Sequence, residues 1–102
     1  MKIGNIHKGC FFRALPGLQA YDGLTIASWF INKEEASLAR EFLVASKTRL
    51  HQAAASELMP KEIAEVILKE INNVFDALDN KNYKEAEESV AAASVMTITE
   101  SM

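Results

Sequence analysis

The feature that most constrains this chain is the placement of its turn-forming residues: Gly4, Gly9, Gly17 and Gly23 all fall in the first quarter, and after them only Pro60 interrupts. Glycine tolerates positive φ and proline lacks a backbone N–H, so a long stretch nearly free of both can remain helical. From about residue 32 onward the chain therefore reads as three amphipathic helices.

The first of these is expected at Asn32-Lys33-Glu34-Glu35, which has the form of a capping box: the Asn32 side chain accepts from the N–H of residue 35 and Glu35 reaches back. At 100° per residue, Leu38, Ala39, Phe42, Leu43, Ala45, Ser46, Leu50 and Ala53 gather on one side with Arg49 at its edge, and the helix is expected to run to about Leu58. Pro60 suits the first position of the next helix, placing a break near Met59. There Ile63, Ile67, Ile71, Val74 and Leu78 form the clearest core-facing stripe, flanked by Ala64, Leu68 and Phe75. Asp79-Asn80-Lys81-Asn82 ends it, and Asn82-Tyr83-Lys84-Glu85 repeats the cap-plus-acid pattern after so short a loop that the flanking helices should be antiparallel. Tyr83, Ala86, Val90 and Ala93 line the inner side of the last helix. The Ala91-Ala92-Ala93-Ser94 run gives it little bulk to bury, so it is expected to be the weakest, with fraying from Val95 to Met102.

The first 31 residues are read differently. Leu24 to Ile31 is almost continuously apolar, and at that length periodicity does not separate a buried strand from a buried helix. Asp22 as an N-cap favours a helix, whereas Asp22-Gly23 beside β-branched residues favours a hairpin. Helix is preferred because every downstream element is helical, and Cys10-Phe11-Phe12-Arg13 is expected to be extended. The expected fold class is all-α, a small bundle of three or four helices with an irregular aromatic N-terminal segment. The alternative is α+β with an N-terminal β-hairpin. One domain is expected over 1–102, made of the 1–31 segment, a 32–96 three-helix body and a 97–102 tail.

An apolar content of 49% with 25% charged residues matches a water-soluble domain, and no apolar run approaches the roughly 18 residues a membrane span requires. The N-terminus faintly imitates a secretory signal, but Asn5, His7, Lys8 and Arg13 interrupt its apolar region, so it is read as part of the mature fold. A single cysteine, Cys10, forms no intrachain disulfide, and the cytoplasm is the expected compartment. The net charge of −3 conceals a division: residues 1–51 carry seven Lys or Arg against four Asp or Glu, and residues 52–102 carry four against ten.

No grouping names a reaction. His7 and Cys10 could supply two zinc ligands, but a structural site takes four and the remaining histidine is His51. As nucleophile and base the same pair lacks an orienting group. The glycines match neither the dinucleotide nor the P-loop spacing, and the carboxylates fall on outward helix faces. No catalytic residue, metal or cofactor is therefore assigned. Two groupings point to binding instead. Phe11, Phe12, Trp29 and Phe30 concentrate aromatic area near the start, as partner surfaces do. Lys33, Arg40, Lys47 and His51, at offsets of 0, 7, 14 and 18, should form a basic stripe on the first long helix. The expected function is a small protein–protein interaction module, adaptor or inhibitor without catalytic activity. Its partner would be another protein or, as a homodimer, itself. A nucleic-acid accessory protein using the basic stripe is the second reading, and a small enzyme with a site at a dimer interface the third.

Overall fold

The computed structural model describes residues 15–101. Four helices are present among them: α1 (Pro16–Asn32), α2 (Ala36–Ala55), α3 (Lys61–Asp79) and α4 (Tyr83–Ser101). The protein is all-α, as expected. Each helix packs against its two neighbours in a closed ring, α1 on α2, α2 on α3, α3 on α4 and α4 back on α1. Short loops alternate the direction at every step, which makes this an up-down-up-down bundle. One end gathers the close of α1, the start of α2, the close of α3 and the start of α4; the other gathers the reverse ends.

Heptad spacing produces the ring. Gly17, Ala20, Leu24, Ala27 and Ile31 of α1 are buried at alternating steps of three and four, and so are Ala39, Leu43, Ser46, Leu50 and Ala53 of α2. Ala64, Ile67, Ile71, Val74 and Leu78 of α3 and Ala86, Val90, Ala93 and Thr97 of α4 continue the pattern. Such a 3.5-residue repeat keeps one seam of each helix facing the bundle axis. On α1, α2 and α4 small residues alternate with large ones along that seam, and the small ones let neighbouring backbones approach.

The segment from Leu24 to Ile31 is helix and not strand. It lies in the middle of a 17-residue element that begins with Pro16 in the first turn, where a missing N–H leaves no bond unmade. Asp22 and Gly23 therefore form neither a cap nor a hairpin turn. Gly17 and Gly23 have no positive φ; they are points of close approach. A Cβ on Gly23 would lie 2.2 Å from Ser46 Oγ and 3.3 Å from the Phe42 carbonyl oxygen, and one on Gly17 would lie 2.2 Å from Ser101 Oγ.

All three loops stop the preceding helix in the same way. Glu34, Glu57 and Lys81 take left-handed φ values of 59°, 59° and 57°. Around them the N–H of Glu35 donates to Phe30 and that of Glu34 to Ile31, both at 2.9 Å. Leu58 donates to Ala53 and Glu57 to Ala54, then Asn82 to Ala77 and Lys81 to Leu78. These paired bonds are the Schellman closure that satisfies the last carbonyls of a helix.

The first loop overturns the expected cap. Ile31 belongs to the core of α1, so α1 must continue to Asn32. The closing turn then consumes Lys33 to Glu35, and α2 starts at Ala36 with Glu35 making no side-chain cap. Asn32 instead donates through Nδ2 to Glu87 Oε2 at 2.9 Å, tying the end of α1 to the start of α4. The corresponding reading at Asn82 holds, since its Oδ1 accepts from the Glu85 N–H at 3.1 Å. Pro60 sits one residue earlier than expected, at the N-cap of α3, where its carbonyl accepts from Ile63 and Ala64. α4 runs past Val95 and is helical through Ser101, and Thr97 is fully buried with its Oγ1 donating to the Ala93 carbonyl at 2.7 Å.

Candidate interaction face

The α1–α2 seam carries the aromatic residues. Gly23 admits Ser46 deeply enough for Ser46 Oγ to donate to the Ala20 carbonyl at 3.0 Å inside the core. Holding the helices this close brings Phe30 of α1 over Phe42 of α2, with ring centroids 5.7 Å apart and planes 20° from parallel. Trp29 meets Phe30 edge-on at 5.2 Å and 73°. Lys33, in the closing turn of α1, places Nζ 4.7 Å from the centre of the Trp29 ring. The result is a run of Lys33, Trp29, Phe30 and Phe42 across two helices, near the end where they connect.

Burial divides these residues by task. Phe30 and Phe42 are half-buried against the core and belong to the seam. Trp29 is 57% exposed, and Ile26, one turn earlier on α1, and Leu38 on α2 are exposed as well. A cation on one side of an indole face is worth about 0.5–1 kcal/mol at an exposed site, so Lys33 restrains the ring without covering it. Phe11 and Phe12, the other aromatic candidates, lie outside the described residues. Phe42 is the member that sequence reasoning assigned wholly to the core; only the spatial overlap with Phe30 reveals its place under the exposed face.

Of the four basic residues, Arg40, Lys47 and His51 share one face of α2, and Lys33 lies outside that helix. Because α2 begins at Ala36, Lys33 is not on that helix and turns to Trp29. Arg40 instead bonds Asp79 of α3 through Nη2 and Oδ1 and lies 5.7 Å from the Phe75 ring centre. Lys47 approaches Asn72 at 3.4 Å and sits 5.5 Å from the same ring. His51 is exposed on α2. Two of the four residues thus knit α2 to α3, and the third belongs to the opposite seam.

Among the described residues no three His, Cys, Asp or Glu side chains come together as metal ligands would. His7 and Cys10 lie outside those residues. No described helix is long and apolar enough to cross a membrane. No family model matches this sequence, and no curated protein or solved structure shows significant similarity to it.

Proposed function

We propose that the protein is a small interaction module, an adaptor or inhibitor, that docks a protein on its α1–α2 face, in the simplest case a second copy of itself. The observation that carries this reading is Trp29, 57% exposed and packed edge-on against Phe30 of the Phe30–Phe42 stack. A tryptophan held by its neighbours before binding loses little side-chain freedom on contact, and such residues recur as anchors of protein interfaces. Arg40 supports the same choice over a phosphate surface, since Asp79 occupies it and Phe75 lies beneath it.

Light scattering and sedimentation across a concentration series test the proposal. The wild-type particle is expected to double in mass as concentration rises, and Trp29→Ala is expected to stay monomeric with the same helical content. Salt should change the midpoint little, because an aromatic contact releases few counterions. A particle that remains monomeric at all concentrations removes the self-association reading. Affinity for nucleic acid that collapses with salt and with Arg40→Glu, yet survives Trp29→Ala, would replace the whole proposal with the phosphate reading.

A further inference from the structure

A second apolar feature lies on the opposite side of the bundle, at the end where α1 begins. Ile63 and Val66 of α3 and Val95, Met96, Thr99 and Glu100 of α4 line a groove of about 190 Å³. Val66 and Val95 are 50% and 63% exposed. An apolar cavity of about 150 Å³ admits a benzene molecule, so the groove is sized for one phenyl side chain. Its surroundings are acidic. Glu100 lines it, and the turns that form it, residues 61–70 and 95–101, hold four Glu against Lys61 and Lys69.

The matching charge lies in one place. Residues 15–51 hold four Lys or Arg and four Asp or Glu, so the positive excess of the first half resides entirely in residues 1–14. That segment contains Lys2, Lys8 and Arg13, no acidic residue, and the apolar Ile3, Ile6, Phe11 and Phe12. It joins the bundle at Leu15. Because Gly17 packs against Ser101, the junction stands beside the close of α4, at the same end as the groove. Phe11 precedes Leu15 by four residues, a reach of about 13 Å when extended. Neighbouring helix axes are about 8–10 Å apart, so this reach carries the chain across the end of α4.

We propose that residues 1–14 dock on their own chain, seating one ring of the Phe11-Phe12 pair in the α3–α4 groove and setting Lys8 and Arg13 toward its carboxylates. This gives Phe11 and Phe12 a task apart from the Trp29 face and does not depend on the interaction reading. The competing groove at this end, lined by Ala54, Glu57, Leu58, Met59, Pro60 and Lys61, is larger at about 460 Å³. It is the poorer match because Glu57 and Lys61 offset each other in charge and its wall is more polar.

Cys10 provides the test, since it is the single thiol of the chain and adjoins Phe11. A nitroxide attached there, in full-length protein with labelled methyl groups, should remove most of the signal intensity of Ile63, Val66 and Val95. Leu18 and Leu58, at the same end but on other sides, should keep most of theirs. Val66→Glu combined with Val95→Glu should restore the Ile63 signal, with helical circular dichroism unchanged because both valines are exposed. If that variant fails to fold, Phe11→Ser with Phe12→Ser changes no described residue and should restore the same signals. Stronger loss at Leu58 than at Val66, or loss at Ile63 that survives both variants, overturns the proposal. So does loss that appears only when nitroxide-bearing and methyl-labelled molecules are mixed, which would make the occupant a second copy.

Discussion

Gly23 is valuable for the Cβ it lacks. Alanine there gains about 1 kcal/mol of helix propensity, yet its methyl group would sit 2.2 Å from Ser46 Oγ and 3.3 Å from a backbone carbonyl. Ser46 is fully buried and donates to the Ala20 carbonyl, so rotating it away breaks a buried hydrogen bond and the carbonyl must still shift. Gly23→Ala is therefore expected to destabilise by about 1–2 kcal/mol in urea denaturation. Ser46→Ala alone should be nearly neutral, and the pair should lose less than the sum, because removing Oγ removes most of the clash. The converse holds where glycine is missing. Glu34, Glu57 and Lys81 occupy left-handed positions that cost a side-chain-bearing residue about 1–2 kcal/mol. Substituting glycine at each should stabilise by about 0.5–1 kcal/mol after the added freedom of the unfolded chain is subtracted. Thermal melts should show a rise of a few degrees per site. Glycine position in the sequence thus marked helix contact and not helix ends: reading Gly17 and Gly23 as punctuation failed because their role depends on Ser101 and Ser46, residues distant in the chain.

At the scale of the element, α3 was the most legible. Its isoleucines and Leu78 face the core as their spacing requires, because a strong apolar stripe leaves one orientation that buries it. α1 was legible in type but not in extent, since Gly17, Ala20, Gly23 and Ala27 contribute to the seam by being small, a signal that hydrophobicity does not register. The start of α2 was misplaced for another local reason: Asn32 to Glu35 fits a capping box, but Ile31 must complete the core before the chain can turn. That shift of three residues also takes Lys33 out of the basic stripe. Two of its α2 members build a polar and aromatic brace between α2 and α3, helices that touch each other less than the other neighbouring pairs do. Arg40 and Lys47 both approach the half-buried Phe75 ring, and Arg40 also holds Asp79. The ring should matter more than the ion pair. Phe75→Ala is expected to destabilise by about 2 kcal/mol, less than for a fully buried phenylalanine, whereas Arg40→Ala should lose under about 1 kcal/mol because its pair is exposed. Equal losses in chemical denaturation would show that the pair and not the ring unites the two helices.

The whole molecule is a ring, and a ring makes each helix answer to two neighbours. Without α1, a three-helix body leaves α4 with one supporting helix and its alanines little to bury, which is why fraying from Val95 is the natural expectation from sequence. Residues 16–32 change that outcome by laying a fourth helix against both α2 and α4. The face around Trp29 follows from the same closure: its aromatic content was readable, but the exposure of Trp29 beside a half-buried Phe30 required the α1–α2 register. The closure also fixes how the end of α4 should behave. Thr97 is buried in the axial seam, and Ser101 fills the space left by Gly17. A chain stopped after Met96 removes both contacts and opens the α1–α4 seam at one end. It is expected to lose about 2–3 kcal/mol, the scale of a large-to-small change in a core, and to melt at least ten degrees lower by the usual proportion for a domain of about this size. Gly17→Ala in the full chain should produce a smaller loss of the same origin, since its methyl group competes with Ser101 for one volume. If the shortened chain melts at the wild-type temperature, the last turn of α4 contributes nothing to closure, and the ring is held by its other three seams.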